Sequence, residues 1–483
     1  VDDRFTIAQA VAIKDGRIVA VGKTADVRKR ADKDTKVIDL KGKTVIPGLI
    51  DNHAHFVRVA EKWHWEMRLD TITSRKQVVK MIADRVKAAK PGEWIVALGG
   101  WSEDQFTDDP RGFPLAELDQ LAPENPVALQ AVYRQTYLNS AAMAAMKIDE
   151  KTPDPRGGKS EKDAGGKPTG LVSGPGGVAF VAAKVPLAEK QQWLDNARGV
   201  ATNLNSMGLT TWMDAGGRGM SDAHYEPYKQ LADSGQLTIR AFWTVIRQPN
   251  TPEQVDKVVA EIPSLKPFQG TDYFNNVGYG ESVYGPVSTA LLRKSGNTKP
   301  EDIAQWGRIV EALAKHGIYD NAHVEMENSI DAYLTLYEEL NKKHPIKGLR
   351  WSFSHLDQVT APQLERMKRL GMSAQIHSRP LIQGVLMHRV HGDRAWDMPP
   401  MRLVQDSGIH WGLGSDATAV TPSNPFYTLW FAVTGKMVGG HKVNRQTITR
   451  EEALIAHTRN NASIVFQESN LGSIQNGKYA DLL

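Results

Sequence analysis

The sequence predicts an α/β protein: a (β/α)8 TIM barrel, with a small β domain drawn from both chain termini and an insertion after the first barrel strand. Three observations predict it. From Ala188 onward, short apolar strands alternate with helical patterns, the signature of repeated βα units and a parallel sheet. With residues 45–52 included, the strands number eight, the count that closes a barrel. Asp15-Gly16 marks a hairpin between residues 10–15 and 17–22, and residues 471–483 repeat that kind of pattern at the other end.

In order along the chain, residues 36–40 and 44–47 read as two more short strands of the N-terminal β module, split by Gly42. That module is too small to bury a core alone. Residues 61–185 do not fit one βα unit. They hold strands at 94–99 and 127–133 and a Gly/Pro-rich stretch at 151–169, read as a long loop or lid. The barrel then runs through strands at 209–214, 237–245, 275–281, 318–323, 349–355, 372–377 and 409–416. Helices lie between them, several closed by Gly208, Gly317 and Gly371. The domains are therefore expected at 1–47 plus 463–483, at 48–60 plus 186–462, and at 61–185.

Composition narrows the function. The chain has 483 residues, roughly three domains' worth or one barrel with attachments. Its net charge of +4 carries no basic tail, which argues against a nucleic-acid partner. No apolar run is long enough to span a membrane. With no Cys there is no disulfide, thiolate zinc site or cysteine nucleophile, and cytosol and export compartment fit equally. A homo-oligomer is compatible with all of this.

The chemistry lies at strand ends. His53 and His55 close an apolar strand led by Pro47-Gly48, and residues two apart on a strand share a face. His323 and His355 end later strands, one βα unit apart, and Asp416 ends the last in the run Gly414-Ser415-Asp416. The C-terminal ends of barrel strands are where barrel active sites are built. Imidazoles and a carboxylate suit Zn2+, Fe2+ or Mn2+, zinc first, and such an ion makes water ionise near neutral pH. Asp416 is placed to touch the metal and to take the proton of that water.

Other residues carry two readings each. His377 ends the strand at 372–377, either polarising a substrate carbonyl or filling the core. Arg379 offers a guanidinium for a substrate carboxylate, or a surface salt bridge. Trp101 and Tyr133 either wall an apolar substrate pocket or belong to the core. Asp214 is an orienting partner for a ligand His or a helix cap. Glu325 and Glu327 are acid/base groups or solvated loop carboxylates.

With these residues in view, the sequence resembles the metal-dependent amidohydrolase superfamily, in particular its amidohydrolase-3 type members. The resemblance rests on PGLIDNHAHF at 47–56, GGW at 99–101, LNS at 138–140, GKPTGL at 166–171 and MGLTTWMDA at 207–215. It continues through His323, His355, GSD at 414–416 and the closing GSIQNGKYADL. It implies a (β/α)8 barrel with a β-sandwich from both termini, one or two divalent metals, and hydrolysis of an amide-like C–N bond in a small-molecule amide substrate. By resemblance, His53 and His55 would hold the first metal with Asp416, and His323 with His355 the second. Two departures stand out. Many relatives end the fourth strand in a carboxylated lysine that bridges the metals. The stretch VGYGES has none, and Glu281 is either the substitute bridge or a buried, hydrogen-bonded glutamate. Many relatives also carry a His shortly before the Asn-Ser pair, where this chain has Arg134, Gln135 and Thr136. The expected activity is cleavage of an N-acyl or N-formyl amide. A hydrolytic deaminase or cyclic amidase, and a non-catalytic metal-binding barrel, are the alternatives.

Overall fold

A computed structural model describes residues 5–217, 220–281 and 283–483. Its centre is an eight-stranded parallel sheet, made of β1 (Leu49–Ala54), β2 (Leu209–Asp214), β3 (Arg240–Val245), β4 (Phe274–Glu281), β5 (Asp320–Val324), β6 (Ser352–His355), β7 (Ser373–His377) and β8 (Trp411–Gly414). Each strand pairs with its sequence neighbour in parallel. The last pair is stitched at the C-terminal ends: the Asp416 amide donates to the His53 carbonyl (2.9 Å) and the His55 amide to the Ala417 carbonyl (2.7 Å). Asp51 adds to the seam by accepting from the Ser415 amide, at 3.0 Å, and from its hydroxyl. A Cβ on Gly414 would stand 2.3 Å from the Asn52 side-chain oxygen, so only glycine lets β8 approach β1 this closely.

The helices between the strands carry apolar stripes that pack on the outside of the barrel. Trp306, Ile309, Val310 and Leu313, all fully buried, come from the helix Pro300–Lys315. Tyr333, Leu334 and Tyr337 come from Glu327–Lys343 and cover β5 and β6. Inside the barrel, below the strand ends, the filling is polar and hydrogen-bonded: Tyr319 Oη meets Ser352 Oγ at 2.6 Å, and Gln375 donates to both. Buried polar groups satisfied in this way hold the strands in one register.

The two termini meet. A hairpin of Ala10–Lys14 and Arg17–Gly22 is joined to the chain's other end by Ile18 donating to Lys478, Ala480 to Gly16 and Ile46 exchanging with Leu483. The expected strands at 36–40 and 44–47 are not formed, apart from a bridge of Pro47 with Leu482. Val37 and Ile38 are 59% and 66% exposed and find no pairing strand among the described residues, so local β propensity is left without a ladder.

The insertion after β1 is a five-stranded sheet in the order Ile95–Leu98, Val127–Ala131, Gln135–Leu138, Pro168–Ser173, Lys159–Lys162. The stretch read as a loop at 151–169 thus contains a strand, Lys159–Lys162, which pairs antiparallel with Pro168–Ser173. Its polar sequence hid it, because an edge strand need bury little.

Candidate metal centre

The barrel closure fixes the spacing of the first candidate ligands. His53 lies within β1 and His55 just beyond it, and both are bonded through their backbones to the turn after β8. Asp416 stands in that turn, two residues past the strand end, with φ +65°. His355, the last residue of β6, has φ +80°. Non-glycine residues in this left-handed region are strained, and such strain gathers at functional sites.

The seven residues named from the sequence as ligands or catalytic groups come together at one end of the barrel. The Glu281 carboxylate stands in the middle. One oxygen lies 2.8 Å from His53 Nε2 and 3.3 Å from His55 Nε2. The other lies 2.8 Å from His323 Nδ1 and 4.0 Å from His355 Nε2. Asp416 approaches the first pair, 3.1 Å from His55 Nε2 and 3.9 Å from His53 Nε2. His377 stacks beside His53, with ring centroids 4.2 Å apart, and meets His355 Nδ1 to Nδ1 at 2.7 Å. His53 and His355 are fully buried, whereas Glu281, His323 and Asp416 keep 10–16% exposure and so face the mouth.

The surrounding hydrogen bonds set which imidazole nitrogen is free. Ser354 Oγ donates to Asn321 and accepts from His53 Nδ1 at 3.2 Å, which leaves the Nε2 lone pair pointing inward. His55 Nδ1 donates to the Gly216 carbonyl, again freeing Nε2. His323 Nε2 faces Glu325 at 3.2 Å, which turns Nδ1 to the pocket. Orienting partners of this kind fix tautomers around metals. Asp214 acts one step back: it accepts from the amides of Val57 and Gly216, both at 3.0 Å, and so holds the loops that place His55 and its carbonyl partner.

These residues fit a divalent cation. His53 Nε2, His355 Nε2 and one Glu281 oxygen are buried without a hydrogen bond, although His53 and Glu281 lie 2.8 Å apart. Buried lone pairs gathered this closely without a proton between them suit a shared cation. Three overlapping ligand sets converge here: His53, His55 and Glu281; Glu281, His323 and His355; and His53, His355 and His377. The electrostatics agree. Burial works against the Glu281 carboxylate, but His53 and His55 outweigh it and hold its pKa well below the usual range. Burial likewise opposes the His323 imidazolium, yet Glu325 and Glu281 raise its pKa to about 10. His355 and His377 are pushed well below the ordinary histidine value, first by burial and then chiefly by Arg379 and His53 respectively. The pocket is one that seeks positive charge between its carboxylates.

Two residues expected to touch substrate are otherwise engaged. Arg379 is buried, and its guanidinium is engaged with Glu325 (2.8 Å) and Asp357, with its Nε 3.8 Å from Asp416. It is neither at the surface nor open to a ligand; it joins the carboxylate that orients His323 to the one beside His55. Trp101 is fully buried in the insertion, packed on Phe106, Phe113 and Tyr137. Glu325, read as an acid/base group or a solvated loop carboxylate, is 1% exposed and has its pKa held low, against burial, by His323 and Arg379. Asp357, Ser354 and Asn321 were not legible as site residues, because their partners lie on neighbouring strands.

A closed parallel barrel with histidines and carboxylates gathered at the C-terminal strand ends defines a metal-dependent hydrolase. Comparison with known proteins gives the family. The family model described as "Amidohydrolase family" matches residues 36–483, and the chain belongs to that family. A second model, an imidazolonepropionase-like composite domain of bacteria, matches residues 10–31. The chain is 26% identical to the N-substituted formamide deformylase of Arthrobacter pascens, across 100% of this chain and 91% of that protein. It is 25% identical to the Bacillus subtilis protein YtcJ, across 98% and 90%. Among solved structures, an uncharacterized metal-dependent hydrolase from Pyrococcus horikoshii superposes with a TM-score of 0.68 at 20% identity, covering 98% of this chain and 92% of that one. The protein is thus an amidohydrolase-family hydrolase acting on a small molecule. No helix among the described residues is long and apolar enough to cross a membrane.

Proposed function

We propose that this hydrolase cleaves an amide-like C–N bond of an N-acyl or N-formyl amide at a centre of two divalent ions, with zinc the ion its ligands suit first. The observation that carries the reading is the Glu281 carboxylate, whose two oxygens face two separate histidine pairs. In this reading His53, His55 and Asp416 would hold one ion and His323 and His355 the other, with the Glu281 carboxylate available to both. When bound, the ions supply a water ionised near neutral pH and draw electron density from the carbonyl.

The chain's own groups do the rest. Asp416 is partly open at the mouth beside His55, placed to accept the proton of the attacking water and return it to the leaving nitrogen. His377 offers its buried, unpartnered Nε2 to the developing oxyanion. Glu325 and Arg379 hold His323 and Asp416 in place. The similarity to a formamide deformylase over the full chain supports an acyclic amide as the substrate class.

The test is elemental analysis of the purified chain followed by a screen of N-formyl and N-acyl amides. About two ions per chain, with release of a carboxylic acid and a free amine, are the expected results. Ammonia released from a ring, or ring opening with no second product, would move the assignment to a deaminase or cyclic amidase. A metal-loaded chain that hydrolyses nothing in a broad panel would leave only ligand binding.

A further inference from the structure

Arg58 lies three residues after His55. It lies in the short 3-10 helix Val57–Glu61, whose Val57, Val59 and Ala60 are buried. That helix is anchored twice, by the Val57 amide on Asp214 and by Tyr228 Oη on the Phe56 carbonyl. Arg58 is half-buried, and the position of its backbone is therefore fixed. Its guanidinium lies near the Nδ1 edge of His55. The point where a Cβ on Gly217 would stand is 3.3 Å from His55 Nδ1 and 3.5 Å from Arg58 Nη1.

What distinguishes Arg58 is its partner. A guanidinium has five N–H donors. Among the described residues Arg58 makes one hydrogen bond, 2.6 Å to the hydroxyl of Tyr133, and no salt bridge. The other arginine of the site, Arg379, is paired with two carboxylates. Tyr133 comes from the insertion and is 43% exposed, and its neutral phenol is the one hydrogen-bond partner of Arg58 among the described residues, while Asp416 and Asp214 act on the guanidinium only from beyond salt-bridge distance. A half-buried cation with most donors unused favours an anion, and the fork geometry of arginine matches a carboxylate.

We infer that Arg58 is a substrate-recognition residue that binds a carboxylate on the amide substrate, which makes N-acyl or N-formyl amino acids the preferred class. This rests on the hydrolase reading above and deepens it. The carboxylate docks on the unused N–H groups of Arg58, with Tyr133 as the lip of the pocket. The scissile amide then lies toward His55 and Asp416.

The experiment compares matched pairs, N-formyl and N-acetyl amino acids against their uncharged primary amides, in the metal-loaded wild type, Arg58→Gln and Arg58→Lys. The wild type should prefer the acid, and R58Q should reduce the ratio of kcat/KM between acid and amide by roughly 30-fold or more, the scale of a hydrogen bond to a charged group. R58K, which keeps the charge but not the fork, should fall between and guards against a misfolded R58Q. A wild type with no preference, or a ratio that R58Q leaves unmoved, overturns the inference while the hydrolase reading stands. Calorimetric binding of N-acetylglycine against N-acetylglycinamide separates the two ideas. Arg58-dependent selectivity for the acid without turnover of any amide would sustain the recognition site and refute the amide hydrolase. Equal binding of both probes would overturn the inference.

Discussion

His355 and His377 meet Nδ1 to Nδ1 at 2.7 Å, so one ring must donate and the other accept. Burial and nearby cations keep both neutral, which leaves two arrangements. If His355 turns its Nε2 lone pair to the centre beside Glu281, its Nδ1 carries the proton and donates to His377. His377 must then carry its own proton on Nε2, where it is a donor with no partner among the described residues. In the proposed reading, the pair would thus convert a metal-ligand tautomer into an oxyanion donor.

This relay predicts a split between metal content and rate for His377→Gln. The variant should retain its ions, because His53, His55, His323, His355, Glu281 and Asp416 are untouched. Its kcat should fall about 100-fold or more, the usual loss for a single oxyanion donor, with a smaller change in KM. Elemental analysis beside steady-state kinetics checks it. Loss of an ion in H377Q would make His377 a ligand instead.

Asp416→Asn should also lower turnover. The carboxylate is placed to move a proton, and amide oxygens are poor bases. A loss of about 10²–10⁴-fold in kcat is expected for removal of a general acid–base group. The fold should persist, since the Asp416 backbone bond to His53 does not depend on its side chain. Circular dichroism confirms the fold, and near-full turnover in a metal-loaded D416N would remove Asp416 from proton transfer.

Glu281→Gln addresses the shared carboxylate. The charge opposite both histidine pairs is lost, and no other acidic group among the described residues takes its central place. The number of ions retained per chain after exhaustive dialysis should drop from about two to one or fewer. Because ions that bind only the folded chain stabilise it, the melting temperature of the metal-loaded protein should fall with them. Two tightly held ions in E281Q would show that Glu281 is not the bridge.

Much of the centre was legible because its signals are local. Strand ends punctuated by His or Asp after an apolar run can be read residue by residue, and the barrel brings such ends to one face. Glu281 became a candidate only through the family resemblance, as the carboxylate in the stretch where many relatives carry a bridging lysine, and it lies at the end of β4. What escaped depends on partners far along the chain. Arg379 looked like a ligand-binding or surface arginine, yet it is buried by Glu325 and Asp357, which come from other strand ends. Arg58 drew no notice because its distinction, a guanidinium with no carboxylate in salt-bridge distance among the described residues, is visible only once its surroundings are assembled. Likewise, residues 36–40 carry β propensity without a ladder, and Lys159–Lys162 makes a ladder from a polar sequence.

Asp320 offers a test of the barrel interior away from the ligands. It lies at the start of β5, fully buried, and accepts a hydrogen bond from Tyr337 Oη at 2.6 Å, while its other oxygen has no partner. Burial raises its pKa from 3.8 to about 7, with the tyrosine opposing only in part. Between those two values the folded chain keeps the proton that the unfolded chain has released. Stability therefore falls as pH rises, at up to about 1.4 kcal/mol per pH unit from this group alone, and levels off once the folded pKa is passed. Asp320→Asn keeps an acceptor for Tyr337 but removes the titration. The variant should melt higher than wild type at pH 8, and the difference should shrink progressively as the pH is lowered toward 5. Scans of apo protein across pH 5–8 measure it, without interference from ion binding. A difference in melting temperature that stays constant across that range would mean that Asp320 is ionised in the fold, with its charge compensated by the tyrosine.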